Sequence, residues 1–249
     1  MYYHLRDSIY LTQFRGDVII LDTKRDKYTI CFKQFSDLLM NILDGKPSVS
    51  QEELFSVSSN PQFSLQAPTD IQKLIDSSIL EEKNTLYPFH IDRKPDSEGV
   101  SNVDWRLPLE NKKVNLNVQV LKAFITLLRV NFYITVKGFY STIQLLKKCR
   151  QGHSNYLTPQ DEDLKNLANI VNKACLIYPT RTKCLEWAIT FVLLALKRKW
   201  KCNLEIGVQN YPFFAHAWVE CDGKVVMDSQ DLREGLAIIL NEPFRKLKS

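Results

Sequence analysis

Glycine is scarce in this chain, at 8 of 249 residues. No Gly-rich GxxxxGK[ST] loop occurs, so nothing here cradles a nucleotide phosphate in the usual way. The start, Met1-Tyr2-Tyr3-His4-Leu5-Arg6-Asp7, has no apolar core of the signal-peptide kind, and no secretory signal is expected. Six cysteines (Cys31, Cys149, Cys175, Cys184, Cys202, Cys221) include no CxxC pair. Their scatter predicts reduced thiols in a cytoplasmic setting rather than a disulfide framework. No internal repeat or low-complexity tract is found. The most apolar long stretch, Leu116 to Val136, is interrupted by Lys122 and Arg129. It reads as a packed or partner-facing helix, not as a membrane span. The formal charge of +5, from 33 basic and 28 acidic residues, admits an acidic partner without demanding one. What remains, 45% apolar and 24% charged, is an ordinary globular composition with room for one or two domains.

The pattern divides the chain in two. Ile9-Tyr10-Leu11, Val18-Ile19-Ile20-Leu21 and Lys27-Tyr28-Thr29-Ile30 predict three strands, with turns at Arg15-Gly16-Asp17 and Asp22 to Asp26. Phe32, Phe35, Leu38, Leu39 and Ile42 then recur at helical spacing up to Gly45-Lys46-Pro47. A short helix is expected over Ser50 to Phe55. A third should open at the capping box Thr69-Asp70-Ile71-Gln72, with Ile71, Leu74, Ile75 and Ile79 on one face. Leu80 to Tyr87 suggests a hairpin around Lys83-Asn84. Residues 89–114, with Pro95, Pro108 and many charges, read as a linker between a domain at 1–88 and another at 115–249.

The second half begins helical. One or two helices are expected from Leu116 to Cys149, with a break near Gly138. Another should run from Thr158-Pro159-Gln160-Asp161 to about Leu176. A third should run from Cys184 to the cations Lys197-Arg198-Lys199, which suit the negative end of its dipole. Strands follow at Asn203 to Val208, Ala215 to Glu220 and Val225 to Met227, the last two joined by the strong hairpin signal Asp222-Gly223.

Chemistry concentrates in this half. Cys184 opens an apolar helix, His216 lies mid-strand, and Asp228 follows the next strand. A thiol attacks only as thiolate, and both a helix N-terminus and a neighbouring imidazolium lower its pKa. A base needs an orienting acid, and Asp228 is the best placed. Glu220 shares the face of His216 but lies farther along the strand, and Asp222 is needed for the turn. This order suits a papain-like or transglutaminase-like nucleophile. The competing readings are a core cysteine with a structural histidine, since free Cys packs like a small hydrophobe, and a zinc site from Cys202, His216 and Cys221, whose spacing fits no usual finger. Phe213, Phe214 and Trp218 read as cleft lining or as packing.

At these residues the chain resembles the transglutaminase-like cysteine peptidases, and among them the B proteins of lasso-peptide (microcin J25-type) biosynthesis. The resemblance rests on Cys184-Leu185, Glu205-Ile206-Gly207-Val208, His216-Ala217-Trp218-Val219-Glu220 and Gly223-Lys224-Val225-Val226 leading to Asp228. Where the family often has a polar Arg-Ser pair, Trp187-Ala188 stands here. The first half resembles the small winged-helix leader-recognition elements of peptide-modifying pathways. The resemblance implies an α+β protein: a winged-helix domain joined to a transglutaminase/papain-like peptidase domain. It implies that a precursor's leader adds as a strand beside Lys27, Tyr28, Thr29 and Ile30, against a helix face with Gln72, Lys73 and Asp76. It also implies leader removal through a thioester on Cys184. The freed core would pass to an asparagine-synthetase-like macrolactam cyclase. No cofactor is expected in this chain itself, and any ATP dependence would enter through the cyclase. Two rivals stand beside this reading. One is a winged-helix protein without hydrolytic activity, either a leader chaperone or a binder of nucleic acid through Lys24, Arg25 and Lys27, although residues 69 to 79 hold one Lys and two Asp, a poor face for phosphates. The other is an acyl transferase on the same fold, since transfer and hydrolysis share the thioester.

Overall fold

The computed structural model describes residues 1–31, 33–45, 67–101, 117–151 and 155–248. The helix expected at Ser50 to Phe55, and residues 102–114 of the connecting segment, lie outside them.

Four strands, not three, open the chain: β1 (Tyr2–Leu5), β2 (Ile9–Phe14), β3 (Asp17–Asp22) and β4 (Lys27–Cys31). Arg15 and Gly16, both at positive φ (50° and 88°), form the two-residue turn whose twist matches the strands of a hairpin. At the next turn Asp22 Oδ1 accepts from the Lys24 and Arg25 amides at 3.0 and 3.1 Å. The helix α1 (Lys33–Leu43) follows, then α2 (Ala67–Asp76), β5 (Leu80–Lys83) and β6 (Arg93–Lys94). The α2 helix begins two residues before Thr69, so the expected capping box is not its start. The expected hairpin at Lys83-Asn84 is absent too, because β5 pairs antiparallel with β1.

The main N-terminal sheet runs β4-β3-β2-β6, with β4 at one edge. Both faces of its central strands are buried. Ile9, Leu11, Val18 and Ile20 pack with Leu39, Leu43 and Leu74 of the helices. Tyr10, Phe14, Ile19 and Leu21 point the other way, into the core of the second half. Successive side chains alternate between faces, so burial on both sides requires the unbroken apolar runs seen in the sequence.

The second half comprises α3 (Val118–Phe132), a π-helical turn (Tyr133–Lys137), α4 (Gly138–Gln151), α5 (Asp161–Ile177), α6 (Cys184–Lys197), β7 (Cys202–Gln209), β8 (Phe214–Cys221), β9 (Lys224–Val225), α7 (Asp231–Gly235) and β10 (Ala237–Glu242). Asn117 caps α3 by accepting from the Val120 amide at 2.9 Å. The expected break near Gly138 takes the form of the π turn, ending at Gly138 with φ 80°. Gln160, not Thr158, stands at the cap of α5, and Asp161, Glu162 and Asp163 crowd its first turn, where negative charge suits the dipole. The sheet order is β10-β7-β8-β9, antiparallel throughout. Asp222 and Gly223, at φ 50° and 81°, make the expected tight turn between β8 and β9.

The apolar helix α6 lies under this sheet. Ala188, Ile189, Phe191 and Val192 are fully buried there with Leu204, Val208 and Val219. Each large side chain so placed contributes about 1.5–3 kcal/mol of transfer free energy. Polar bonds tie the halves together as well. Tyr10 donates to Glu242 Oε1 at 2.8 Å, Asn210 Nδ2 donates to Asp17 at 3.0 Å, and Asp92 Oδ2 accepts from the Ile238 amide at 2.7 Å. Arg245 sits 4.0 Å over the Phe89 ring and donates to the Tyr87 hydroxyl. Asp92 also accepts, through its carbonyl, from Thr12 Oγ1. Residues 89–101 are thus bonded on both sides as they pass between the halves.

Candidate active site

Cys184 is the first residue of α6, at the positive end of the helix dipole. The residues before it cannot extend the helix backward, because Lys183 is extended (φ −90°, ψ 164°). Glu186 fixes this entry by accepting from the Lys183 amide at 2.9 Å, and Asn131 Nδ2 of α3 donates to the same carboxylate at 3.2 Å. Trp187 is buried and donates to Asn172 of α5 at 2.7 Å.

His216 stands near the start of β8 and is 3% exposed. Its Nε2 lies 2.8 Å from Asp228 Oδ2. The ring's other nitrogen is not used by Asp228, and the Cys184 thiol lies near enough for thiol and imidazole each to shift the other's pKa. Asp228 reaches this position through a bend, not a strand. The β9 strand ends at Val225, and Met227 adopts φ 57°, a region costly for a non-glycine residue. That reversal turns the chain back toward His216, and the Ser229 amide donates to Asp228 Oδ1 at 2.9 Å. Phe214 and Trp218 stack on either side of the imidazole, with ring centroids 6.2 and 6.1 Å away. Trp218 is buried, whereas Phe213 is exposed and leans on Tyr28 at 5.2 Å.

The electrostatics follow from these partners. Burial alone would raise the Cys184 thiol. The hydrogen bond from His216, the amides of Ala217 and Leu185, and the imidazolium charge outweigh it and lower the pKa. Burial likewise pushes the His216 imidazole down, but its bonds to Asp228 and Cys184 carry it up to about 9. Both shifts favour a thiolate–imidazolium pair. In such a coupled pair the apparent values belong to both groups together.

The other candidates are placed differently. Glu220 is buried and engages Arg233, and Asp222 occupies the turn. Cys202 and Cys221 face each other across β7 and β8, both buried. His216 is five positions from Cys221 on one strand, hence on the opposite face, and its ring is committed to Asp228 and Cys184. Among the described residues no group of three metal-ligating side chains occurs.

The residues expected to meet a leader divide by face. Lys27 and Thr29 are exposed on the β4 edge, while Tyr28 and Ile30 pack inward on the core of the second half. Gln72, Lys73 and Asp76 are exposed on α2, with Gln72 Nε2 donating to Asp76 at 2.9 Å. Cys31 of β4 and Ile71 and Ile75 of α2 join one apolar cluster, so strand and helix flank a common core. Tyr28 was not foreseen as a neighbour of the nucleophile. Burial first, then the charges of Asp26 and Cys184, push its phenol up to about 12. A cavity of about 340 Å³ lies elsewhere, between the halves, beside Asp92, Glu205 and Arg245. None of Cys184, His216 or Asp228 lines it.

Residues 126–241 match the model of the transglutaminase-like superfamily. The chain is also similar to the microcin J25-processing protein McjB of Escherichia coli, with 25% identity over 239 residues, 92% of this chain and 96% of that protein. No solved structure matches. The match of the second half to the superfamily and the similarity of nearly the whole chain to McjB agree, and together they support a lasso-peptide biosynthesis B protein with a transglutaminase-like domain.

Proposed function

We propose that this protein is the cysteine peptidase that removes the leader from a lasso-peptide precursor, with Cys184 as nucleophile, His216 as acid and base, and Asp228 as the residue orienting His216. One observation carries the proposal. His216 is held by Asp228 at 2.8 Å through Nε2 beside a thiol at a helix N-terminus, and thiol and imidazole shift each other's pKa. The similarity to a microcin-processing protein supplies the substrate class.

In this mechanism the Cys184 thiolate adds to the carbonyl at the leader–core junction. The imidazolium of His216 gives its proton to the departing amine of the core. The leader remains as a thioester. Neutral His216 then takes a proton from water, whose oxygen attacks the thioester; the leader leaves as a carboxylic acid, and Cys184 is released as thiolate beside the imidazolium. Asp228 keeps the ring in the tautomer that can accept this proton and stabilises its charge. The leader is held by the first half, read as a winged-helix element. It adds to the β4 edge at Lys27 to Ile30 and lies against Gln72, Lys73 and Asp76 of α2. The freed amine is the group that a macrolactam cyclase requires, so that enzyme is the downstream partner in the same cytoplasmic compartment.

The test is cleavage of full-length precursor followed by mass spectrometry. Cys184→Ala should abolish the leader fragment while retaining precursor binding and the parent melting temperature. Cleavage by that variant near the parent rate would remove Cys184 from the mechanism.

A further inference from the structure

Helix α3 carries an apolar seam that nothing in the described residues covers. Val118 is 69% exposed, Leu121 55%, Ile125 55%, Leu128 42% and Phe132 52%. Their spacing alternates three and four, with Val, Ile and Phe at one position of the heptad and Leu at the other. Side chains of the same helix that serve its own fold, Val120, Ala123, Leu127 and Val130, point inward and are fully buried. The exposed seam is therefore an addition to the core face, not a part of it.

Its geometry limits what can sit on it. At 3.6 residues per turn, the five seam residues span an arc of about 80°. That is the narrow stripe of a helix–helix contact, and β-branched residues alternating with Leu suit knobs-into-holes packing against one helix. A bilayer would wet a wider face, but the exposed cations Lys122 and Arg129 border this one. The π turn at Tyr133–Lys137 then breaks the register, which limits the seam to about two heptads.

Its charge limits the occupant further. Lys122 and Arg129, both exposed, lie along the same edge of the seam one heptad apart, and no carboxylate of the described residues pairs with them. The sequence contains no acidic residue between Glu110 and Asp161. A second copy of this chain packed through the seam would bring cations to cations without a compensating acid. We infer that α3 is a docking surface for an amphipathic helix of another protein, one with a Leu- and Ile-type seam and acidic residues along its flank.

The experiment uses the full chain and a labelled synthetic helix of about three heptads. That helix has Ile and Leu in the seam and Glu on the flanks, with a Lys-flanked twin as control. Fluorescence anisotropy should show the Glu-flanked helix binding roughly tenfold or more tighter than its twin, and weakening as salt screens the flank. Leu121→Asp and Leu128→Asp should each reduce that binding by roughly tenfold or more. Both should leave the melting temperature and the cleavage of precursor unchanged. Equal binding of the two helices would overturn the inference. So would flotation of the chain with phosphatidylglycerol vesicles in place of peptide binding, or concentration-dependent dimerisation abolished by the Asp variants. A large loss of melting temperature in those variants would also overturn it, because the seam would then be covered within the chain itself.

Discussion

Replacing Asp228 with Asn keeps the shape of the side chain and removes the charge that faces His216 Nε2 at 2.8 Å. A hydrogen bond to a charged group contributes about 1.5–3 kcal/mol. At 1.36 kcal/mol per pKa unit, its loss lowers the imidazole by roughly one to two units. The parent imidazole sits at about 9. Its proton is therefore fully held below its ordinary range and lost only as the pH rises through about 9. The Cys184 thiol is shifted the other way. Its thiolate is present above the ordinary thiol range and is lost only as the pH falls through the lowered value. The substitution closes this window from both ends, because a less cationic imidazole also stabilises the thiolate less. Orientation adds a second cost. An amide can donate through Nδ2 and hold Nε2 unprotonated. The nitrogen facing the thiol then carries the hydrogen and cannot accept one. Together these effects should reduce turnover by roughly two to four orders of magnitude, as for an orienting carboxylate elsewhere.

Two readouts separate the effects. The pH profile of precursor cleavage should lose its alkaline plateau early, with the descending limb displaced acidward from about 9. The pH profile of Cys184 alkylation by iodoacetamide, followed by peptide mass spectrometry, should have its rising limb displaced toward higher pH. Glu220→Gln and Asp222→Asn should disturb neither limb comparably, since Glu220 faces Arg233 and Asp222 shapes a turn. An Asp228→Asn enzyme with both limbs in place and near-parent turnover would refute the reasoning.

A Cβ on Gly207 would lie 2.5 Å from Trp218 Cη2 and 2.8 Å from Leu236 Cβ, so Gly207→Ala should cost about 1–3 kcal/mol by overpacking. Trp218 stacks on His216, so cleavage measured well below the melting point should fall as well, and a calorimetric scan with a parent-like midpoint would count against this packing. Tyr10→Phe removes the hydroxyl that donates to buried Glu242, and should cost about 1–3 kcal/mol in a denaturant titration while leaving the Cys184 alkylation profile in place. Tyr28→Ala should raise KM for precursor and lower kcat together, as expected of a side chain touching both the proposed leader edge and the nucleophile's surroundings, and a change in KM alone would confine Tyr28 to binding.

The parts of this molecule that were legible from sequence are those set by local rules. The turn at Asp222-Gly223 demands positive φ at both positions, and Gly and Asp announce it. Helix α6 begins at Cys184 and ends in cations, as its apolar content and charge placement require. Strand β1 escaped because Tyr2-Tyr3-His4-Leu5 has only Leu5 deeply buried and pairs with β5, some 75 residues on. Pairing at that separation leaves no mark on either segment alone. The short β9 and the bend to Asp228 were likewise hidden. Met227 at φ 57° is a conformation its side chain disfavours, imposed by the surroundings. The order of Cys, His and Asp could be read, whereas the backbone path that joins them could not.

The unbroken apolar runs of β2 and β3 carry a consequence for how recognition and chemistry connect. One face of that sheet packs on α1 and α2, and the other, through Tyr10, Phe14, Ile19 and Leu21, enters the core that holds α6. The β4 edge belongs to the same sheet, and its inward residues Tyr28 and Ile30 pack on that same core. Tyr28 leans on Phe213, immediately before the strand that carries His216, and feels the charge of Cys184. A strand added to β4 would therefore be held by a surface continuous with the walls of the thiol site, not by an arm tethered to it. Shifting β4 would shift Tyr28 and Phe213 with it, because tightly packed interiors transmit displacement rather than absorb it. Leader occupancy at the sheet edge would then bear directly on the geometry around Cys184, which is why the Tyr28 substitution should move kcat and KM together.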